Sequence, residues 1–238
     1  MDIKIIYDDN DILVVDKPAG LIVFEEGPAF AKVTAMQRKT LIDYLIEKYP
    51  KLAEVGPPPR YGIVHRLDKD TSGILLVAKN NESLIFLQKK FINREVEKKY
   101  LALVDGNIKE DKGEIKTLIG RALSDKKKQK VYFPNEPGSE GKREAITKYK
   151  VLQRFKNYTL LEIKIETGRR HQIRCHLSYI QHPIANDKVY GFKNSPVIEG
   201  LNRQFLHAAY LKIKLPTGSE KIFESELPED LKKIIKNL

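Results

Sequence analysis

In the second half of the chain, Leu161, Ile163 and Ile165 alternate with Glu162, Lys164 and Glu166. A period of two puts every aliphatic side chain on one side of an extended backbone and every charge on the other, the pattern of a half-buried β-strand. This is the cleanest of several such stretches. Ile3–Tyr7 and Ile12–Asp16 read as strands on either side of the turn-rich Asp8-Asp9-Asn10-Asp11. Gly73–Ala78 is a short apolar run bounded by breakers and suits a buried strand, and Tyr100–Val104, the rest of Glu144–Thr167 and Phe205–Leu215 are strand-like. Helical spacing is found from Leu41 to Tyr49, with Thr40 as N-cap and Pro50 as terminator, and from Asn81 to Asn93, with Leu84, Leu87 and Phe91 on one face. It recurs from His171 to Gln181 and in a basic helix opened by Pro228 and running to Lys236. Strands outnumber helices, and most successive strands are joined by short turns. The expected fold is α+β, with a mixed, mainly antiparallel central sheet flanked by helices, rather than a doubly wound α/β sheet.

The 238 residues are read as a single domain, 1–238, with no internal repeat and no long low-complexity tract. A hydrophobic share of 41% supplies a core. Chains of this size bury roughly 70–75% of the surface of the unfolded form, so neither disulfides nor metals are needed as staples. The single Cys175 cannot form an internal disulfide, and no cysteine cluster exists to hold zinc. Apolar runs such as Ile74–Ala78 fall far short of the ~20 residues that span a membrane. Asp2, Asp8, Asp9 and Asp11 occupy the place where a signal peptide is first cationic and then apolar, so the cytoplasm is the expected compartment. Lys and Arg number 43 against 32 Asp and Glu, a formal charge of +11. That balance points to a polyanionic partner, nucleic acid first, or to a genome that favours lysine.

Several chemistries lose ground at once. There is no GxxxxGK[ST] run for a nucleotide phosphate loop, no GxGxxG after a strand, and no GxSxG for a serine hydrolase. His65, His171, His176, His182 and His207 lack HExxH or zinc-finger spacing. What remains must come from Asp, Arg, Tyr and Lys on a basic surface.

Two stretches concentrate such residues. His65-Arg66-Leu67-Asp68-Lys69-Asp70-Thr71-Ser72 lies between two apolar segments, where a rigid sheet presents a loop to solvent or substrate; an ordinary hydrogen-bonded turn reads the same way. Thr167-Gly168-Arg169-Arg170-His171-Gln172-Ile173-Arg174-Cys175-His176-Leu177 turns on a glycine after the cleanest strand and delivers three arginines and two histidines to a helix start. Amide groups there suit phosphate, although a capped amphipathic helix with a basic outer face has the same sequence. The Lys126-Lys127-Lys128-Gln129-Lys130 run reads either as a solvated loop or as an RNA contact.

Taken in order, DKPAG (16–20), HRLDKDTSGILLVAK (65–79), KKY (98–100), TGRRHQIRCHL (167–177), His182-Pro183-Ile184 with Asp187, and Leu206-His207-Ala208 closely resemble the RluA family of RNA pseudouridine synthases. The matching blocks cover residues 3 to about 224. The resemblance implies that Asp68 is the catalytic aspartate and that Arg174 is the arginine that pairs with it. It makes Tyr100 the tyrosine packed against the target base, though a core tyrosine in a strand would look alike. Arg66 becomes the arginine that fills the gap left by a flipped nucleotide. Arg169, His171, Lys127 and Lys128 are candidate RNA contacts.

The implied reaction breaks the N1–C1′ bond of a uridine, rotates the uracil and rejoins it through C5. No atoms enter or leave, so no cofactor and no metal are expected. The base must leave its stack, at a cost of a few kcal/mol, and an arginine stacked in its place offsets part of that cost. A carboxylate in a closed pocket needs a cation nearby to stay ionised, and the planar fork of arginine grips both oxygens.

The expected partner is structured RNA, by family analogy large-subunit ribosomal RNA with transfer RNA as the alternative, handled by a monomer that does not touch membrane. Two departures stand out. Many relatives carry an N-terminal S4 module, whereas the first family block here begins at residue 3. Many also continue with a His-Pro-Gly-like turn where this chain reads Val23-Phe24-Glu25-Glu26-Gly27-Pro28. Competing readings are a non-catalytic RNA-binding or chaperone protein on the same fold, and a metal-dependent nuclease built on Asp68, Asp70 and His65.

Overall fold

The computed structural model describes residues 3–25, 39–122, 125 and 128–238. The chain falls into two compact units, Met1–Val96 with Tyr210–Glu226, and Glu97–Ala209 with Leu227–Leu238. In the first unit, β1 (Lys4–Asp8) pairs antiparallel with β2 (Ile12–Lys17). The turn between them works as its aspartates suggested: Asp9 Oδ1 accepts the Asp11 and Ile12 amides at 2.8 and 2.7 Å. β2 pairs antiparallel with β3 (Ser72–Ala78), placing Leu13 opposite Val77 and Val15 opposite Leu75. All of β3 is buried, which explains a run without alternation: both of its faces are covered.

Two helices pack in this unit. α1 (Leu41–Lys48) starts where the Asp43 carboxylate accepts both the amide and the hydroxyl of Thr40 at 2.8 Å, and Pro50 opens a 3₁₀ turn, Pro50–Glu54, just beyond its end. α2 (Asn81–Ile92) is capped by the Asn80 side chain, which accepts the Ser83 amide at 2.8 Å.

The second unit is built on β4 (Glu97–Asp105), β5 (Lys112–Arg121), β6 (Gln129–Tyr132), β7 (Arg143–Arg154) and β8 (Tyr158–Ile165). They lie in the order β4-β8-β7-β5-β6, every neighbour antiparallel. The alternation in 161–166 behaves as expected, with Leu161, Ile163 and Ile165 buried and their charged neighbours half-exposed. The charged face is laced with ion pairs: Lys99–Glu162 at 3.6 Å, Lys164–Glu97 at 3.4 Å, Lys116–Glu144 at 3.6 Å and Lys148–Glu114 at 3.4 Å. Exposed pairs of this kind contribute about 0–1 kcal/mol each, so stability must come from the other face.

On that other face α3 (Gln172–Tyr179) packs against β6 and β7, and Cys175 joins Ile119, Val131, Ala145 and Tyr190 in a core cluster. β9 (Leu206–Lys214) contains the boundary between the units, and its residues 210–214 pair antiparallel with β10 (Glu220–Glu224) in the first. α4 (Glu229–Lys236) closes the second unit by burying Leu231 and Ile234, and Arg203 pairs with Asp230 at 2.7 Å. The class is α+β, mostly antiparallel, as expected. Gln129 and Lys130, read as part of a loop, instead open β6, and β5 and β10 were not visible as strands.

Candidate active site

The loop carrying Asp68 is mounted from both sides. It follows an isolated bridge between Ile63 and Val77 and runs into β3, with Leu67 sunk into the core and the Thr71 amide closing a turn onto the Asp68 carbonyl at 3.1 Å. His65 is structural: its Nε2 accepts the Leu76 amide at 3.0 Å, and its ring stacks on Phe91 with centroids 4.8 Å apart. The Nε2 lone pair that a metal would need is therefore committed to the backbone. Among the described residues no group of three His, Cys, Asp or Glu side chains is placed to hold a metal ion, so the donor set of the nuclease reading is not assembled.

The decisive support is a residue whose role the sequence did not disclose. Lys17, 0% exposed, donates from Nζ to the carbonyls of Pro18 at 2.8 Å, Leu21 at 2.8 Å and Lys69 at 3.0 Å. A buried ammonium is costly unless its donors are satisfied, and here they are spent on tying the Pro18–Leu21 turn to the residue after Asp68. The Gly20 amide reaches the same Lys69 carbonyl at 2.9 Å, with Gly20 at φ +83°, a left-handed turn that favours glycine. Asp68 itself is half-buried.

Arg66 is exposed, with its guanidinium 5.3 Å from the ring centroid of buried Phe24; Arg60 sits 5.0 Å from the same ring. Phe24 belongs to the segment that departs from the family turn, and it is fixed by its neighbours, since the carbonyls of Ile22 and Val23 accept the Leu41 and Ile42 amides at the start of α1.

In the second unit, Tyr100 on β4 is 7% exposed and stands opposite Ile163 of β8. Lys98, two positions earlier on the same face of the strand, is pushed down to about 8 by burial. Arg174 is 6% exposed and lies on the inner side of α3, not on a basic outer face. It grips Asp187 bidentately, Nε to Oδ2 at 2.7 Å and Nη2 to Oδ1 at 2.8 Å. Burial pushes the Asp187 carboxyl up, but Arg174 and the amides of Tyr190 and Val189 outweigh it and hold the group below the ordinary carboxylate range. The Arg174 guanidinium also lies 5.2 Å from the Tyr190 ring centroid.

The turn into α3 hangs on Gln172, which sequence reading passed over. Its Oε1 accepts the Thr167 hydroxyl at 2.7 Å and the Arg169 amide at 3.0 Å, while its Nε2 donates to the Ile146 carbonyl and Thr147 hydroxyl, both at 3.0 Å. Arg169 is half-buried, its Nε donating to the Glu144 carbonyl at 2.9 Å. His171 takes a left-handed conformation, φ 54°, as the residue before α3, and its Nδ1 lies 3.0 Å from the Tyr190 hydroxyl. Lys128 is exposed, and Lys127 lies outside the described residues.

Known proteins place the chain. A model of the family described as RNA pseudouridylate synthase matches residues 11–179. The chain belongs to this family. It is an RNA pseudouridine synthase, an isomerase acting on uridine in RNA. It is 41% identical over 239 residues to the uncharacterized RNA pseudouridine synthase YlyB of Bacillus subtilis, covering 100% of this chain and 73% of that protein. It is 40% identical over 241 residues to ribosomal large subunit pseudouridine synthase D of Pseudomonas aeruginosa, covering 97% and 70%. A solved human structure, RNA Pseudouridylate Synthase Domain Containing 1, is similar with a TM-score of 0.74 at 28% identity, over 96% of this chain and 84% of that one. The loop that Lys17 and Gly20 brace through the Lys69 carbonyl carries Asp68.

Proposed function

We propose that the synthase modifies uridines of large-subunit ribosomal RNA, with Asp68, Tyr100 and Arg174 as its catalytic residues. Asp68 is the carboxylate that acts on the target nucleotide, Arg174 the cation that keeps it ionised, and Tyr100 the flat ring against the uracil. Arg66, seated on Phe24, fills the stack that the target base vacates. Arg169, His171, Lys127 and Lys128 contact the RNA backbone. Residues 1–238 act as one catalytic domain and as a monomer in the cytoplasm, without cofactor or metal, because the isomerisation exchanges no atoms with the surroundings. The observation that supports the reading most is the bracing of the Asp68 loop through the Lys69 carbonyl by Lys17 and Gly20. The choice of RNA rests on the likeness to the large-subunit synthase D of Pseudomonas aeruginosa.

The test is a map of pseudouridines across total RNA from cells with the gene, without it, and without it but supplied with the Asp68→Ala protein. At least one large-subunit site is expected to disappear with the gene and to stay absent with Asp68→Ala. A loss confined to transfer RNA would overturn the choice of target, and restoration by Asp68→Ala would overturn the catalytic assignment.

A further inference from the structure

Tyr190, in the second unit, touches both a proposed catalytic residue and a proposed RNA contact. It is 8% exposed, and its backbone is pinned. The amide donates to Asp187 Oδ1 at 3.0 Å, the carbonyl accepts the Ser178 hydroxyl at 2.9 Å, and the next amide, that of Gly191, closes a turn onto the Asp187 carbonyl at 2.8 Å. The ring then meets two side chains. The Arg174 guanidinium lies 5.2 Å from its centroid, and the His171 ring stands nearly perpendicular to it, at 88°, with centroids 5.6 Å apart.

The Tyr190 hydroxyl decides which nitrogen of His171 carries a proton. It accepts the Gln129 amide at 2.7 Å and lies 3.0 Å from His171 Nδ1. A backbone N–H can only donate, so one lone pair of the phenol oxygen is spent on Gln129. Burial pushes the phenol above its ordinary value, so the group keeps its own proton at neutral pH. In a side chain this buried that proton needs an acceptor, and among the described residues it meets His171 Nδ1. Nδ1 is thereby left bare, and the imidazole carries its hydrogen on Nε2. A proton on Nδ1 would leave the phenol proton without a partner. Both neighbours are held in place: His171 sits at φ 54° against the start of α3, and the Gln129 carbonyl accepts the Cys175 thiol of that helix at 3.5 Å.

We infer that Tyr190 is a positioning residue for the isomerisation: its hydroxyl keeps His171 in the Nε2–H form, a donor to a phosphate oxygen of the substrate RNA, and its ring steadies the Arg174 guanidinium. The inference rests on the roles proposed for His171 and Arg174 and adds the side chain that links them. A phosphate oxygen only accepts, so an imidazole that turned a lone pair toward it would repel it, whereas one that offers N–H binds it. For Arg174 the ring supplements Asp187. The carboxylate takes Nε and Nη2, and the aromatic ring is a second favourable neighbour for the cation. One side chain thus serves the grip on RNA through its hydroxyl and the chemistry through its ring, so removing the hydroxyl alone should separate the two.

The experiment has two parts, both on the full chain. With ¹⁵N in the imidazoles, long-range ¹H–¹⁵N correlation reads the protonation of each ring nitrogen, His171 being identified by the peaks that vanish in His171→Gln. At pH 7.5 Nδ1 is expected bare and Nε2 protonated, and Tyr190→Phe, which keeps the ring, should show a mixture of both tautomers. Steady-state tritium release from [5-³H]uridine-labelled RNA then separates hydroxyl from ring. Tyr190→Phe should raise KM about tenfold and lower kcat by less than about threefold, the mark of binding lost equally from ground and transition states. Tyr190→Leu should raise KM as much and lower kcat by about tenfold or more besides, because Arg174 loses its neighbour. A proton on Nδ1 in the unaltered chain, an unchanged KM in Tyr190→Phe, or a kcat in Tyr190→Leu no lower than in Tyr190→Phe would overturn the inference. The tautomer is read on the unaltered protein without substrate, so it decides the matter even where a variant fails to fold. Absence of release from the unaltered chain counts against the proposed RNA substrate, whereas the tautomer counts for or against Tyr190.

Discussion

A buried arginine is tolerable only when its charge and its donors are met, and at Arg174 the Asp187 carboxylate meets both Nε and Nη2. Removing one partner of such a pair leaves a lone charge inside the protein, which costs about 3–5 kcal/mol, whereas replacing both by apolar groups is often neutral. Asp187→Ala is therefore expected to lower the unfolding free energy in urea by about that amount. Asp187→Leu combined with Arg174→Met should recover most of the stability but none of the turnover, because the cation is then gone. Full activity in the paired variant would remove Arg174 from the mechanism. His176 poses a different residue-scale question. It is wholly buried between the Thr117 and Thr147 hydroxyls, at 3.0 and 2.8 Å, and burial pushes it down to about 4. The unfolded chain takes up this proton near pH 6.5, the folded chain only near 4, so the contribution of His176 to stability is constant above pH 6.5 and falls as pH drops through that window. The loss from this group amounts to roughly 3 kcal/mol. Urea melts from pH 7.5 to 4 should show the decline, and His176→Gln should flatten it; an unchanged slope would mean that the imidazole is solvated.

At the scale of elements, the turn from β2 to Leu21 and the loop that bears Asp68 are a single mechanical piece, because one lysine donates to both. Lys17→Met keeps most of the side-chain volume, removes this donor from the carbonyls of Pro18 and Leu21, and leaves that of Lys69 with the Gly20 amide alone. Each buried acceptor left unsatisfied costs about 1–3 kcal/mol. The expected result is a fall of at least tenfold in kcat on RNA with a much smaller change in KM, since the loop that positions the carboxylate loosens while the basic surface is untouched. Equal loss in both constants, or none, would show that the brace does not serve catalysis. None of this was legible in DKPAG, where a lysine beside a proline reads as surface. The β5–β6 hairpin was missed for a related reason. In KGEIKTLIGR the buried positions are Ile115, Thr117 and Ile119, and a threonine at the centre of the apolar set hides the alternation. Thr117 is inside because His176 lies within hydrogen-bonding distance of it, a fact found fifty-nine residues away. β6 has four residues and follows a lysine run, too short a signal to stand out.

For the whole molecule, the sequence carried the class of fold through its alternating and fully apolar strands, and the family through HRLDKDTSG and TGRRHQIRCHL. It singled out the charged residues to which the proposed chemistry is assigned, but not what holds them: Lys17 at the Asp68 loop, Gln172 at the turn into α3, Asp187 on Arg174, Phe24 beside Arg66. Each is a contact between segments distant in the chain or hidden in burial, and periodicity reports neither. The account of the molecule as an RNA isomerase depends most on Asp68. The direct measurement is single-turnover tritium release from [5-³H]uridine-labelled large-subunit ribosomal RNA, comparing the unaltered chain with Asp68→Ala at equal RNA occupancy. Release is expected from the former, with the variant slower by three orders of magnitude or more, about 4 kcal/mol in the barrier. Release at the same rate from both would contradict it.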